Sequence, residues 1–247
     1  MEDKELRWLQ KRIGCFCASE ISSIMSASGK WTLSNIDFLY TKQRERKKRF
    51  PAPQIYVKQF NFGNDNEPYA IEWLKVNKPE LNIKHCLEDF DDIIFVKTDY
   101  NLGASPDCIV EDKTDFKKNA LVEIKCIYGE REEARMFSDT YSYDKKRLGV
   151  FKEHKDQLAV QLICFPSVNN IWVLKYSPQR DDNDFDTDSP TESWRGILFE
   201  FTRDEFGDYL NEIEERAKFA DEYLKSGRDL ENINDYYKNK KNVAKDS

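Results

Sequence analysis

Long hydrophobic runs are missing from this chain. None of its 247 residues fall in an apolar stretch able to span a bilayer, which takes about 20 residues. The opening MEDKELRWLQ is charged from its second residue and lacks the apolar segment of a secretory signal. The expectation is a cytoplasmic protein in a reducing compartment, with no membrane partner. Histidine is scarce, with only His85 and His154, and the six cysteines form no Cys-x-x-Cys pair. That argues against a zinc site, and Cys15 and Cys17 read as buried thiols. An excess of positive charge is also lacking. A formal net charge of −7 argues against a protein that coats nucleic acid, though not against one that holds it in a local basic channel. Two stretches could supply such a field or be plain solvated segments: Lys42–Arg49 (KQRERKKR) and the tail around Lys238–Lys245.

What is present reads as helices first, then strands, then helices. Residues 4–12 look like a short helix ended by Gly14. Ser19 stands at an N-cap position before Ile21, Ile24 and Met25. Residues 34–48 and 67–77 also show helical spacing. The middle changes character: Ile93–Thr98, Gly103–Val110 and Ala120–Ile127 are short, apolar and bounded by turn residues, and read as strands. A helix near Glu153–Phe165 follows, then strands over Ile171–Tyr176 and Gly196–Phe201. The acidic stretch between those strands lacks the glycine and final glutamate of an EF-hand and reads as a solvated loop. Thr202 and Glu205 form a capping box before a last helix lined by Phe206, Leu210, Ile213, Ala217 and Leu224. With no internal repeat or boundary, the reading is one α/β domain over 1–227, a mixed sheet flanked by helices, and a flexible basic tail over 228–247.

The chemistry concentrates in two of the strands. Alternate strand side chains share a face, so Glu123 and Lys125 point one way while Val122, Ile124 and Cys126 point the other. The preceding Ser105-Pro106-Asp107 could bring Asp107 alongside. Two carboxylates with a backbone carbonyl, that of Ile124, make a hard-oxygen site for Mg²⁺, or Mn²⁺ in its place. Such an ion polarises a phosphate and acidifies a water, and Lys125 can orient that water and stabilise developing charge. The triplet acid-x-Lys recurs in this charged chain, as at Glu45–Lys47 and Glu153–Lys155, but only Glu123–Lys125 sits in an apolar strand. On these residues alone, hydrolysis of phosphodiesters and a simple cross-strand ion pair both stand open. Upstream, Arg12 and Ser19 place a cation and a hydroxyl at the start of a helix, a natural phosphate site or an ordinary cap with a surface arginine.

The order Arg12-x-Gly-x-x-x-Ala-Ser19, Gly63-x-x-x-Glu67, Ser105-Pro-Asp107, Glu123-x-Lys125 and a helix carrying Gln157 resembles the lambda-exonuclease-like viral recombinase family of the PD-(D/E)xK nuclease superfamily. The resemblance covers roughly residues 8–205 and rests on shared order more than on any one motif. It implies a restriction-endonuclease-like core and a Mg²⁺-dependent exonuclease that degrades one strand of linear duplex DNA from its 5′ end. By position it implies that Asp107, Glu123 and Lys125 are catalytic and that Glu67 assists the metal. Arg12, Ser19, Ser105 and Gln157 would then hold the 5′-phosphate, and Gln161, one turn from Gln157, could share or take that role. It further implies a homo-oligomer, as a ring-shaped trimer, and a single-strand annealing protein as partner. Pro68 puts Glu67 at a helix start instead of mid-helix, and the gap from Lys125 to Gln157 implies an insertion near Tyr128–Lys146. Alternatives are a structure-specific endonuclease of the same fold and an inactive nuclease fold that only binds DNA. An iron–sulfur relative is set aside because only Cys126 and Cys164 follow the Glu123 strand.

Overall fold

A computed structural model describes residues 2–51, 58–112, 119–178 and 195–243. The acidic loop and the end of the basic tail, including Lys245, lie outside the described residues. Helix α1 (Glu2–Arg12) leads through β1 (Phe16–Cys17) and a short 3₁₀ helix (Ala18–Ile24) to α2 (Leu33–Lys48) and α3 (Lys58–Asn77). Strands β2 (Asn82–His85), β3 (Val96–Lys97), β4 (Leu102–Ala104), β5 (Cys108–Glu111) and β6 (Ala120–Cys126) follow. Then come α4 (Glu130–Phe137), α5 (Tyr143–Cys164), β7 (Asn170–Ser177), β8 (Arg195–Thr202), α6 (Tyr209–Lys225) and α7 (Ile233–Val243).

The main sheet has five strands in the order β2-β5-β6-β7-β8. Only β6 and β7 are parallel, joined through α4 and α5; the other pairs are antiparallel. A small sheet, β1-β4-β3, lies apart from it. Strand alternation divides the main sheet's side chains between two cores. Val122, Ile124, Trp172 and Leu174 cluster with Ala70, Ile71 and Leu74 of α3. Leu121, Ile171, Val173, Phe199 and Phe201 cluster with α5, α6 and the 3₁₀ helix. Glu123 and Lys125 share the parity of the second set, so they emerge on the α5 side where that apolar face ends.

The structure departs from the sequence reading at several places. The expected strand Gly103–Val110 divides into β4 and β5, because Pro106 cannot donate to a ladder. Ile93–Thr98 contracts to β3, and β1 and β2 were not foreseen. Ser19 is not an N-cap: Cys17, with extended backbone (φ −77°, ψ 149°), holds that place, and Ser19 lies inside the 3₁₀ turn. Glu67 is mid-helix, since α3 begins at Lys58 and continues through Pro68, forgoing one helical hydrogen bond. The region 128–146 holds α4, whose Met136 is buried. Thr202 and Glu205 cap a short 3₁₀ turn ahead of α6.

The tail is also corrected. Residues 230–243 are not frayed: after Gly227 (φ 68°) the chain forms a 3₁₀ turn and α7, and Leu230 and Ile233 are buried in the larger core. Tyr237 stands edge-on to Phe219 at 4.6 Å, and Asn234 bonds both the N–H and the carbonyl of Trp31. The apolar spacing of these residues is broken up in sequence by Asn, Asp and Lys, which hid the helix. Ile233→Ala is therefore expected to cost about 2–5 kcal/mol in denaturant unfolding. A loose tail would give a change within about 0.5 kcal/mol.

Candidate active site

The register of β5 and β6 sets the site. Cys108 pairs with Val122, and one residue earlier the Asp107 N–H donates to the Val122 carbonyl at 3.0 Å. Asp107 therefore stands opposite Glu123. Its Oδ2 accepts the Ile124 N–H at 2.6 Å, so the strand that carries Glu123 and Lys125 also orients the Asp107 carboxylate.

Glu123 is only 4 % exposed, and a buried carboxylate needs compensation. Lys125 Nζ donates to its Oε1 at 2.7 Å, Gln157 Nε2 donates to the same oxygen at 2.6 Å, and Gln161 Nε2 donates to Oε2. Both glutamines project from one face of α5, as their spacing predicts, but the partner they meet is Glu123. Burial pulls the Lys125 ammonium down, yet Glu123 and then Asp107 outweigh it and hold its pKa above the usual lysine value. Asp107 goes the other way. Burial, then Glu123 and Glu67, push its carboxyl well above the usual range, against Lys125 and the Ile124 N–H.

Glu67 reaches the same region from α3, with Oε1 2.9 Å from Nε2 of His85. Burial lowers His85's proton affinity, but the hydrogen bond and charge of Glu67, with Glu88 behind them, leave it raised. A cleft of 590 Å³ opens here, lined among others by Trp8, Glu67, His85, Ser105 and Asp107. Ser105 donates its hydroxyl to the Ile94 carbonyl at 2.7 Å.

Arg12 and Ser19 meet as a separate pair. Arg12 Nη2 lies 3.2 Å from Ser19 Oγ, and its guanidinium stacks 4.1 Å over Trp8. The turn between them depends on Gly14, whose φ is +68° and where a Cβ would stand 2.4 Å from Arg46 Cγ. Gly14 donates to Glu45 Oε2 at 2.8 Å and accepts from Arg46 Nε at 2.9 Å. Lys42 and Arg46 of the basic run thus face inward: buried Lys42 bridges Glu20 and Glu45 at 3.0 and 3.3 Å. Arg44, Lys47 and Lys48 line a shallow outer groove.

Lys175 escaped the sequence reading. It pairs in register with Lys125 across β6 and β7, is 3 % exposed, and is neutralised by Glu132 at 3.1 Å and Glu153 at 3.7 Å. A lone lysine in the apolar run WVLKYS is the same signal that marks Glu123–Lys125. His154 lies nearby; burial, then Lys175 and Lys125, pull its pKa down to about 3, so the ring is neutral.

The donors around Asp107 are oxygens: its own carboxylate, that of Glu123, the Ile124 carbonyl and, further off, Glu67. That set fits Mg²⁺ or Mn²⁺, whose charge would offset the crowding of carboxylates around Asp107. Among the described residues no three His, Cys, Asp or Glu side chains converge closely enough to hold an ion as they stand. Glu67 is turned to His85, and Glu123 to Lys125 and the glutamines.

A mixed sheet whose adjoining strands present Asp107, Glu123 and Lys125 together, with helices on both faces, is a restriction-endonuclease-like nuclease core. The comparisons agree. The chain belongs to the YqaJ-like viral recombinase family, whose domain matches residues 7–164. It is similar in fold to an alkaline exonuclease (LHK-Exo) from Laribacter hongkongensis, with a TM-score of 0.62 and 18% identity over 98% of this chain and 99% of that one. The same exonuclease in complex with dAMP gives 0.59 and 19%, again over 98% and 99%. A phage related exonuclease from Haemophilus somnus 129PT gives 0.53 and 15%, over 86% of this chain and 96% of that one. No curated protein matches by sequence. The family is described as a viral recombinase domain, and the likeness to the exonucleases is one of fold. No described helix is long and apolar enough to cross a membrane.

The glutamine geometry yields a test. A hydrogen bond to a charged group contributes about 1.5–3 kcal/mol, so Gln161→Met should lower kcat at least about tenfold. If Gln161 acts through Glu123, KM for DNA ends stays unchanged. If it grips the terminal phosphate instead, KM rises, and steady-state kinetics separates the two.

Proposed function

We propose that this protein is a divalent-metal-dependent exonuclease that hydrolyses one strand of linear double-stranded DNA from 5′ to 3′, in recombination or DNA processing. The observation that carries the reading is the junction of Asp107 and Glu123 on paired strands, with Lys125 bonded to Glu123 at 2.7 Å. Asp107, Glu123 and the Ile124 carbonyl would hold Mg²⁺, with Glu67 assisting. The ion would supply Lewis acidity toward the scissile phosphate and acidify a water. The chain's own groups do the rest. The Ile124 N–H fixes Asp107, while Gln157 and Gln161 fix Glu123. Lys125, released from Glu123, orients the attacking water and stabilises charge on the phosphate.

Asp107→Ala and Glu123→Ala should each abolish cleavage of linear duplex while leaving the fold intact. Lys125→Ala should slow it by about 10²–10³-fold. Wild-type protein should degrade linear duplex in Mg²⁺, spare closed circles, and do nothing in EDTA. Turnover like wild type in either carboxylate variant would sink the reading.

End recognition belongs to the same proposal. Support comes from Arg12, held by Trp8 and bonded to Ser19 on a turn that Gly14 permits. A guanidinium so placed can grip a terminal phosphate, which carries more charge than an internal diester. Ser105 and Gln157, assigned to that phosphate by family position, and Gln161, placed beside Gln157 by helical spacing, make other contacts in the protein alone. Arg12→Ala should erase a preference for 5′-phosphate over 5′-hydroxyl ends of at least about tenfold, measured at one salt concentration because phosphate binding is salt-sensitive. A variant that keeps the preference would make Arg12 an ordinary surface residue. By family resemblance the proposal extends to a ring-shaped homotrimer and a single-strand annealing partner.

A further inference from the structure

Glu67 is the one carboxylate of the site that the sheet does not carry. It comes from α3, and it must be brought to a fixed distance from Asp107, which precedes β5. The end of β2 makes both connections. His85 Nε2 stands 2.9 Å from Glu67 Oε1, and the next residue, Cys86, donates its N–H to the Asp107 carbonyl at 2.9 Å. Two consecutive residues thus hold parts of the site that belong to different elements. His85 is itself fixed: its side chain is 7 % exposed, its N–H donates to Asp89 Oδ2 at 2.7 Å, and its carbonyl accepts the Asp89 N–H at 3.0 Å. Pairing with Cys108 in β5 sets its height along the sheet. On its far side Nδ1 meets Glu88 Oε2 at 3.6 Å.

We propose that His85 is a positioning residue for the metal site, donating its Nε2–H to Glu67 and so setting where that carboxylate stands relative to Asp107. The proposal rests on the reading of Glu67 as a metal-assisting residue. The physical reason is general: a carboxylate that must present an oxygen to a cation is oriented by hydrogen bonds to its other oxygen or lone pairs, and loss of such a partner weakens binding without removing a ligand. A mere core histidine would contribute volume and burial alone.

The test separates donor from volume, using the full chain and Mn²⁺ as probe. His85→Phe keeps the ring and removes the donor, whereas His85→Gln keeps an N–H donor. By isothermal titration calorimetry, His85→Phe should bind Mn²⁺ about 10–100-fold more weakly than wild type, with His85→Gln within a few-fold. The Mn²⁺ concentration for half-maximal cleavage should follow the same order, with KM for DNA ends unmoved. Adding His85→Phe to Glu67→Gln should weaken binding no further. Equal Mn²⁺ binding by the Phe and Gln variants would overturn the proposal, as would a full extra loss in the double variant. If His85→Phe does not fold, wild-type protein decides: Mg²⁺ must shift the ¹⁵N resonances of the His85 imidazole, and unmoved resonances overturn the idea. Wild-type protein that binds no Mn²⁺, or cleavage that survives Asp107→Ala, would instead bring down the metal-nuclease reading together with this one.

Discussion

Glu123 brings a negative charge to a place where water barely reaches, and much of the surrounding architecture compensates for it. An isolated buried carboxylate would take up a proton or force the site open. Here three donors from two elements converge on it, Lys125 from its own strand and Gln157 and Gln161 from α5. The parallel crossover that joins β6 to β7 passes through α5 and lays that helix over the sheet face bearing Glu123. The charge requires the helix, and the helix is where the crossover must put its chain. Lys175 extends the pattern one strand further, since its own buried charge is met by Glu132 of α4 and Glu153 of α5.

The opposite face shows the complementary arrangement. Val122, Ile124 and Trp172 pack against α3, which gives the sheet a dry side. Because α3 is anchored there by Ala70, Ile71 and Leu74, its earlier turn reaches the sheet edge and delivers Glu67. One strand pair therefore serves as apolar core on one face and carries charged side chains on the other. That economy comes from the two-residue period of a strand, and a register slip of one residue would bury Lys125 in the α3 core.

How much of this could be read from the chain varies with the kind of signal. The alternation in ALVEIKC is a local pattern, and it places Glu123 and Lys125 on the face where they stand. The helical spacing of Gln157 and Gln161 also gives their common face, but not their partner, which lies 34 and 38 residues earlier in sequence and is met only through the crossover. Pro68 misleads, because steric bias before proline argues for a helix start and yields to the packing that carries α3 through it. Strand β2 is four residues with two polar side chains on its alternate positions, too little to distinguish from a loop. Its His85 carries no pattern at all; its place beside Glu67 exists only once β2 has paired with β5. Lys175 was legible by the criterion that marks Lys125.

The N-terminal turn has a consequence for how the protein is made. Arg216 of α6 donates to the carbonyl of Ile24, 192 residues earlier, and to those of Gly29 and Lys30, while stacking 4.1 Å over Trp31. Asp221 holds Arg46, which in turn holds Gly14. The segment carrying Arg12 and Ser19 is translated well before Arg216 and Asp221, the groups that brace it. At about 5–20 residues per second, it waits on the order of ten seconds or more for its partners. A nascent chain that already contains Asp107, Glu123 and Lys125 still lacks the groups that brace the Arg12–Ser19 turn, so synthesis from the N-terminus delays that turn until Arg216 and Asp221 have been made.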